Sequence, residues 1–422
     1  MRSRQSGATG KVPRLQSVRE SMPVTTKGEK MTKTVSRILL SVCALIATSA
    51  AAPAQETVKI GLLMTYTGQF TEPATQMDNG IKLYMKQHGD TVAGKKIEII
   101  RKDTAGAPDA AKRLAQELIV KDNVDVLAGF VITPEAMTVS DLSASTKKLM
   151  VVMNAATSII TVKSPYITRS SVTLPQNTEQ LGLWAARKGL KRVFTMVSDY
   201  APGHDAENAF HGAFKASGGQ IVDSIRMPLA NPDFSAFVQR AKDSNPDGIF
   251  IFVPSGSQPP ALAKALIERG MDPKKITIMG QGEIADEASL RALGEQAEGM
   301  ITAFHYDYAH PSAKNNTFVA AYNAEFKRNP DFFSVGGYDG MHLIYEALKK
   351  TGGKADADSM IAAIKGMKWE SPRGMTSIDP ETRDVINTVY IRQVKKVDGK
   401  MINVEIEKIE NVKDPVKERM KK

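Results

Sequence analysis

Strand-like apolar runs alternate with helical patterns along most of this chain, and that alternation limits the possible folds more than any other sequence feature. The helical pattern is clearest over residues 109–121, where apolar positions recur at the spacing of one helix face. Near-continuous apolar strands between helices are typical of parallel sheets covered on both faces. The sequence therefore predicts an α/β fold. The strand candidates are residues 58–63, 96–101, 124–130, 149–153, 192–197, 221–227, 248–253, 276–279 and 300–305.

The length of 422 residues and the number of strands favour two lobes over a single core. Residues 163–176 contain two prolines, interrupt the alternation and are predicted to cross from the first lobe to the second. Beyond residue 391, short alternating segments lie on either side of Asp398 and Gly399. An Asp-Gly pair favours the tight turn of an antiparallel hairpin, so we expect a hairpin there.

The charge of the chain gives no reason to expect a nucleic-acid partner. The formal net charge is +10, but residues 1–54 hold nine of the 56 Lys and Arg residues and only two of the 46 Asp and Glu residues. The remaining chain therefore has 47 basic and 44 acidic side chains. A balance this close to neutrality is not the basic surface that binds a polyanion.

The amino-terminal region has the pattern of an export signal. From Met31, the basic residues Lys33 and Arg37 precede a short apolar run and an A-x-A motif that ends at Ala54. We therefore predict a signal peptide over residues 31–54 with cleavage after Ala54. Because such a signal starts at the amino terminus, we interpret residues 1–30 as a mis-assigned upstream start. The exported chain is expected in the periplasm.

The single cysteine, Cys43, lies within the predicted signal, so we expect neither a disulfide nor a thiol nucleophile in the exported chain. A lipidated Cys43 is the alternative, but Val42 stands where lipidation favours a small residue. The apolar run of the signal is shorter than the roughly 20 residues that a membrane span needs. The sequence therefore predicts a protein without a lipid anchor or a membrane span.

Ligands of open α/β sheets bind beyond the carboxyl ends of the strands, so the loops after the strands are the candidate site. Thr133 follows the third strand and is predicted to cap a helix that begins at Pro134. The N-terminus of a helix attracts anions through its free N–H groups and its dipole. Ala155, Ala156 and Thr157 follow the next strand and offer backbone groups and a hydroxyl. Together, the two loops favour a carboxylate ligand. The alternative that Thr133 only caps its helix stays open.

The later strands are followed by loops that also carry candidate binding groups. These are Asp199 and Pro202, then Ser255, and then Gly282 and Glu283. The last pair lies in a G-x-G-x-x-A pattern that resembles a dinucleotide site, but it comes late in the chain and would set a carboxylate beside a pyrophosphate. We therefore interpret Glu283 as facing a cationic or hydroxylated ligand across a cleft.

Sequence motifs for catalysis and metal binding are absent. The chain has no phosphate-binding loop motif, no H-E-x-x-H and no G-x-S-x-G, and its six histidines lack the spacing of metal ligands. We expect no enzymatic activity and no cofactor. An exported hydrolase or dehydrogenase is the alternative, which turnover of a bound ligand would support.

Several short motifs follow one another in a characteristic order. They are Val58-Lys59-Ile60-Gly61, Tyr66-Thr67-Gly68, the stretch 103–118, Ala155-Ala156-Thr157-Ser158, Ser198-Asp199-Tyr200-Ala201 with Gly203, Pro232-Asp233-Phe234, and Gly337-Tyr338-Asp339 as a helix start. The series resembles the periplasmic solute-binding proteins of the Leu/Ile/Val-binding type, which are the receptors of ABC importers. The resemblance extends from residue 56 to about residue 411.

This resemblance implies a type I periplasmic-binding-protein fold. Two Rossmann-like lobes with parallel sheets would be joined by three crossover segments and close on a small ligand by hinge motion. The expected division assigns residues 55–175 and 304–387 to the first lobe, 176–303 and 388–412 to the second, and 413–422 to a tail.

The resemblance also implies how the ligand is bound. A hydroxyl residue after the third strand and the Ala-Ala-Thr loop would bind the carboxylate, and these positions match Thr133, Ala155 and Thr157. We add Tyr66, after the first strand, and Phe130, at the end of the third, to the predicted contacts. The second lobe would supply an acid for an α-ammonium group and an aromatic lid.

The second lobe departs from the family pattern at three positions. Pro202 stands where an aromatic residue is usual, Ser255 takes the place of a tyrosine, and Glu283 lies one residue from the expected acid. These departures slightly favour an aromatic carboxylate, such as benzoate or a phenylpropanoid acid, over an amino acid, and both stay open. The expected partners of a monomeric receptor are this ligand and a membrane permease. A cytoplasmic sensor with the same lobes is a further alternative, which the signal argues against.

Overall fold

The fold is described by a computed structural model for residues 20–23 and 56–421. Residues 24–55 lie outside this range. They include the predicted signal peptide, its predicted cleavage site after Ala54, and Cys43. From Glu56 onward the described residues belong to one compact unit. Within the described part of the chain, no helix combines the length and the apolar character that crossing a bilayer requires.

The first sheet is formed before the chain first crosses to the second lobe. Its strand order is β2-β3-β1-β4-β5-β6, and its pairings are parallel except for β2 against β3. The elements are β1 Thr57–Met64, α1 Thr71–His88, β2 Thr91–Val92, β3 Lys95–Asp103, α2 Pro108–Val120, β4 Val126–Gly129, α3 Thr133–Thr146, β5 Leu149–Val152, a 3-10 turn Ser158–Val162 and β6 Ile167–Arg169.

The second sheet is parallel from β8 through β7, β9 and β10 to β11. Helices again connect consecutive strands. The elements are α4 Leu174–Arg187, β7 Arg192–Ser198, α5 Ala201–Ala216, β8 Gln220–Met227, α6 Phe234–Asp243, β9 Gly248–Phe252, α7 Gln258–Glu268, β10 Thr277–Gln281, a 3-10 turn Gly282–Ala285, α8 Glu287–Leu293, a 3-10 turn Gly294–Ala297 and β11 Ile301–Phe304.

The chain then returns to the first lobe and finally crosses again. Strand β14 begins beside β13, where Val385 pairs with Ile378, and continues beside β11, where Tyr390 pairs with Phe304. One strand thus carries the third crossover, after those that follow β6 and β11. The elements are α9 Ala313–Phe326, α10 Phe332–Lys350, α11 Ala357–Ile364, β12 Lys368–Ser371, β13 Gly374–Ile378, β14 Val385–Val397, β15 Lys400–Val412 and α12 Pro415–Met420.

Buried apolar side chains cover both faces of each sheet, as parallel strands require. In the first lobe, α1 and α10 pack with close backbone contact. A Cβ atom at Gly80 would lie 1.9 Å from the Ser334 carbonyl oxygen, and one at Gly337 would lie 2.2 Å from that of Met77. Glycine is therefore needed at both positions to let α1 and α10 meet.

The structure confirms the predicted α/β fold with two lobes and three crossovers, and it adds antiparallel strands at the sheet edges. It also confirms the hairpin between β14 and β15, whose turn residues Asp398 and Gly399 have φ of 48° and 77°. Gly337 does not start a helix, because α10 begins at Phe332 with Asp331 as its cap. The short strands β2, β6, β12 and β13 were not predicted, and the lobe boundaries drawn on the sequence stay a prediction.

Candidate ligand-binding cavity

One cavity is lined by the loops that follow strands of both sheets. Loops after β4 and β5 line it from the first lobe, and loops after β7, β9 and β10 line it from the second. Its empty volume, including its open mouth, is about 540 Å³. The position matches the rule that ligands bind beyond the carboxyl ends of parallel strands. This cavity is therefore the candidate functional site.

The first-lobe end of the cavity combines a helix N-terminus with small polar residues. Thr133, Asn154, Ala155 and Ala156 line it. The Thr133 hydroxyl donates to Oγ1 of Thr157 at 3.1 Å, which ties the two loops together. The first N–H groups of α3 have no partner within the helix, and its dipole favours a negative group here. This end can receive a carboxylate.

The predicted capping role of Thr133 was wrong in detail. Helix α3 begins at Thr133 itself, Pro134 is the second helical residue, and the residue at the cap position is Ile132. Ile132 makes no side-chain hydrogen bond to the helix. The Thr133 hydroxyl consequently points to the neighbouring loop instead of to its own helix.

The second-lobe end of the cavity carries polar atoms without protein partners. Ser255, Gln281 and Glu283 line it. Among the described residues, the Ser255 hydroxyl and Oε2 of Glu283 are buried and have no hydrogen-bond partner. The Gln281 side-chain oxygen accepts from the Asn177 amide at 3.0 Å. Buried polar groups usually have hydrogen-bond partners, so two unpaired polar atoms in one cavity indicate that a ligand provides the missing partners.

Burial raises the pKa of the Glu283 carboxyl to about 8, although a hydrogen bond from its own backbone opposes the increase, and Asp286 and Arg392 have smaller effects of opposite sign. The carboxyl is therefore largely protonated near neutral pH. A protonated carboxyl can both donate and accept a hydrogen bond. This end of the cavity thus suits a neutral hydroxyl group better than a bare cation.

Aromatic side chains form the walls between the two polar ends. Tyr200 and Phe252 stack with their ring centroids 6.1 Å apart. Phe304 and Phe332 meet edge to face at 4.7 Å, and Phe70 also lines the cavity. Ring edges and faces of this kind favour a flat aromatic ligand.

The structure brings together most of the predicted site residues. Six of them line the cavity, namely Thr133, Ala155, Ala156, Pro202, Ser255 and Glu283. Thr157 is buried directly beside it, as the hydrogen-bond partner of Thr133. That these residues contact a ligand stays a prediction.

Four predicted site residues lie elsewhere. Tyr66 packs against the core of the first lobe, and Phe130 is buried in the cluster on the other face of the first sheet. Asp199 is exposed, and its carboxylate is hydrogen-bonded to Nε2 of His204 at 2.7 Å. Gly282 packs against Phe304 and Arg392, and it lines a larger space next to the cavity instead of the cavity itself.

Sequence reasoning named Phe332 and Phe333 as aromatic residues that could line a pocket but favoured a core or rim position for them, and it missed Phe70, Phe252 and Phe304. Phe332 and Phe333 come from α10, which is far along the chain from the strand-end loops, and Phe70 precedes α1. Tyr200 was noted only as part of a loop motif. For Tyr200 and Phe252, the available signal was their position at the ends of β7 and β9, because every strand end at this edge is a candidate.

A larger chamber adjoins the cavity and has an empty volume of about 1480 Å³. Ser255, Phe304, Phe332 and Phe333 line both spaces. The chamber is bounded by α1 and the loop before it on one lobe and by the loop after β9 on the other. The two lobes touch at its edge, where a Cβ at Gly256 would lie 2.4 Å from the Gln69 carbonyl oxygen.

Replacing Gly256 by alanine is expected to weaken ligand binding about tenfold, because the added methyl group prevents the lobes from closing fully. Alanine also adds backbone strain at φ of 103°. Gly218→Ala is the matched control, since Gly218 has φ of 85° and nothing within 4 Å. Isothermal titration calorimetry checks the prediction, and equal affinities of the two variants would contradict it.

The two α/β lobes, the three crossovers and the cavity between strand ends define a ligand-binding receptor of the type I periplasmic-binding-protein fold. The chain belongs to the periplasmic binding protein family, whose family model matches residues 57–400. The chain is 43% identical over 386 residues to Leu/Ile/Val-binding protein homolog 6 of Brucella melitensis, which covers 90% of this chain and 99% of that protein. These matches confirm the resemblance inferred from the sequence motifs.

Two solved structures are also similar. One is a solute-binding protein of an ABC transporter from Rhodopseudomonas palustris BisB5 in complex with 3,4-dihydroxybenzoic acid, with 56% identity and a TM-score of 0.83. The other is such a protein from Rhodopseudomonas palustris HaA2 in complex with p-hydroxybenzoic acid, with 43% identity and a TM-score of 0.83. Each match covers 86% of this chain and 99% of the solved chain.

The relatives are solute-binding proteins of ABC transporters, which confirms the prediction of a binding protein instead of an enzyme. Membership of this family implies a location outside the cytoplasm. Among residues 20–23 and 56–421, no group of His, Cys, Asp and Glu side chains is arranged to hold a metal ion.

Proposed function

We propose that this protein is the periplasmic receptor of an ABC importer for hydroxylated aromatic carboxylates such as 4-hydroxybenzoate. As a monomer it would close on the ligand and deliver it to a membrane permease. The observation that carries the proposal is the cavity itself, which has a carboxylate-type end on one lobe, unpaired hydrogen-bonding atoms on the other and aromatic walls between them.

The carboxylate of the ligand would lie at the first-lobe end. The N-terminus of α3 supplies positive potential there. The Thr157 hydroxyl accepts a hydrogen bond from Thr133 and keeps its own hydrogen, so it can donate to the carboxylate. The Ala155 and Ala156 side chains are small enough for the ligand to approach the loop backbone. Among the described residues, no Lys or Arg side chain lines the cavity, so the helix N-terminus and the hydroxyl groups would stabilise the anion.

The ring hydroxyl would lie at the second-lobe end. It would pair with the Glu283 carboxyl and the Ser255 hydroxyl, which both have unpaired buried atoms. The two relatives solved with hydroxybenzoic acids support a ligand that carries a ring hydroxyl. A hydroxyl group can donate to one partner and accept from the other, so both would be satisfied at once.

A branched-chain amino acid is the second candidate ligand. Its ammonium group would lie near Glu283, and the Brucella melitensis relative is named as a Leu/Ile/Val-binding protein homolog. The raised pKa of Glu283 weakens this alternative, because an ammonium group needs an ionised partner. Binding of the amino acid would have to deprotonate the carboxyl.

Calorimetric titration of the exported chain with 4-hydroxybenzoate, benzoate and leucine tests the proposal. We expect binding of 4-hydroxybenzoate to be tighter than that of benzoate and no measurable binding of leucine. Thr133→Val is expected to weaken binding of both aromatic acids about tenfold, because it removes the hydrogen bond that holds the Thr157 hydroxyl in place as a donor at the carboxylate end. Thr138→Val is the matched control, since Thr138 lies on the same helix and its hydroxyl donates to the Pro134 carbonyl. Binding of leucine alone would overturn the proposal.

A further inference from the structure

The last described helix, α12, folds back onto the loop that follows the ligand-binding residues. Asp414 accepts a hydrogen bond from the Ser158 hydroxyl, next to Thr157. The Lys417 ammonium donates to the Thr161 hydroxyl at 2.5 Å and forms an ion pair with Asp384. Lys417 and Asp384 are both buried, and lysine is rarely buried unless its charge is paired.

Asp384 lies in the third crossover, between two cations. Besides Lys417, the Arg169 guanidinium lies 3.4 Å from Asp384, measured from Nε to Oδ1, without a hydrogen bond between these atoms. Arg169 is fully buried, and its other two nitrogens donate hydrogen bonds to backbone carbonyls beside the cavity. Nη2 donates to the Thr157 carbonyl at 2.8 Å, and Nη1 donates to the Val172 carbonyl at 3.4 Å.

The position of Arg169 therefore depends on how Asp384 is neutralised. Lys417 satisfies one oxygen of Asp384, so Arg169 can remain directed at the Thr157 carbonyl. Oδ1 of Asp384 has no hydrogen-bond partner even with Lys417 in place, and without Lys417 the other oxygen would keep only the Thr161 hydroxyl at 3.4 Å. The Arg169 guanidinium would then be the one cation left within 4 Å of the carboxylate among the described residues. Pairing with a buried carboxylate is strongly favoured over a hydrogen bond to a neutral carbonyl.

We propose that Lys417 of α12 is a positioning residue for the ligand loop, acting through Asp384 and Arg169 on the Thr157 carbonyl. The proposal rests on the proposed function, because Thr157 lies at the carboxylate end of the cavity. Loss of Lys417 draws Arg169 toward Asp384 and loosens residues 155–158. The carboxylate end is then less well organised before the ligand arrives.

Lys417→Met tests this role, with Arg419→Met as the matched control. Arg419 lies on the same helix but forms an exposed ion pair with Glu179, so its loss is expected to leave binding unchanged. Lys417→Met is expected to weaken 4-hydroxybenzoate and benzoate equally, by about tenfold, because both place a carboxylate at the affected loop. Faster dissociation in stopped-flow measurements is expected to account for most of the change.

A second variant separates positioning from a general loss of stability. The double variant Asp384→Asn, Lys417→Met removes both charges, so no carboxylate at position 384 attracts Arg169 away from the Thr157 carbonyl. Its affinity is expected to recover to within about threefold of the original. Lys417→Arg keeps the charge and is expected to bind more tightly than Lys417→Met. Binding by Lys417→Met that equals the original, or no recovery in the double variant, would overturn the proposal.

Hydrogen exchange keeps this test separate from that of the proposed function. Amides of residues 155–162 are expected to exchange faster in ligand-free Lys417→Met and to regain protection in the double variant. If the original protein fails to bind 4-hydroxybenzoate, the proposed function fails while the exchange comparison still decides the role of Lys417. Unchanged exchange in Lys417→Met would contradict the positioning role.

Discussion

Replacing Glu283 by leucine is expected to weaken binding of 4-hydroxybenzoate about 100-fold while changing that of benzoate less than about threefold. In the variant, the ring hydroxyl would lose its main partner and be buried against an apolar side chain. A buried polar group without a partner costs about 1–3 kcal/mol, which is the size of this effect. Benzoate has no group at that position, so the second-lobe end contributes little to its affinity.

Glu283→Gln is the control for this prediction. An amide can donate to and accept from the hydroxyl much as the protonated carboxyl does, so 4-hydroxybenzoate is expected to bind within about fivefold of the original affinity. Calorimetry at pH 6.5 provides the comparison, below the Glu283 pKa of about 8. Equal losses for both acids in Glu283→Leu would show that the side chain supports the cavity instead of recognising the hydroxyl.

The second large effect concerns stability and involves Glu135, a buried carboxyl in the first turn of α3. Burial raises its pKa to about 7, partly offset by hydrogen bonds from Thr104 and Thr65. The Thr104 hydroxyl donates to the Met64 carbonyl at 3.0 Å and also lies against Oε1 of Glu135. One hydroxyl hydrogen cannot serve both oxygens, so a protonated Glu135 that donates to Thr104 satisfies the arrangement.

The sign of the pH dependence follows from this raised pKa. Below the ordinary value of 4.5 the Glu135 carboxyl is protonated in both the folded and the unfolded chain, and its full contribution to stability is present. That contribution is lost as the pH rises through the folded value of about 7. Glu135→Gln stays neutral throughout. The variant is therefore expected to gain stability relative to the original by on the order of 3 kcal/mol between pH 4.5 and pH 7.5.

Denaturant unfolding at several pH values measures this difference without any ligand. Glu117→Gln is a useful contrast, because Lys102 lowers the pKa of Glu117. The stability difference between Glu117→Gln and the original protein is expected to depend only slightly on pH, and with the opposite sign to that of Glu135→Gln. A stability difference between Glu135→Gln and the original protein that does not change with pH would contradict the assignment.

Local pattern was enough to place the loops that reach the cavity. Thr133, Ala155, Ser255 and Glu283 all follow strands that the apolar runs had indicated, and parallel strands direct their following loops to one edge. The same reasoning failed for Asp199, which also follows a strand but points to solvent and pairs with His204. Which residue of a strand-end loop turns inward depends on the loop conformation, and the sequence pattern does not specify it.

The sequence by itself determined the α/β class and the hairpin at Asp398 and Gly399, because strand and helix periodicity and turn chemistry act over a few residues. It also indicated the polar ends of the cavity. Only the tertiary structure decided how the aromatic walls assemble and how Lys417 is linked to Thr157. The walls bring together residues from Phe70 to Phe333, and the link connects Thr157 with Lys417, 260 positions further along the chain. Burial of Phe332 or Lys417 follows from packing between distant elements, and periodicity can predict that a side chain is buried without showing what it is buried against.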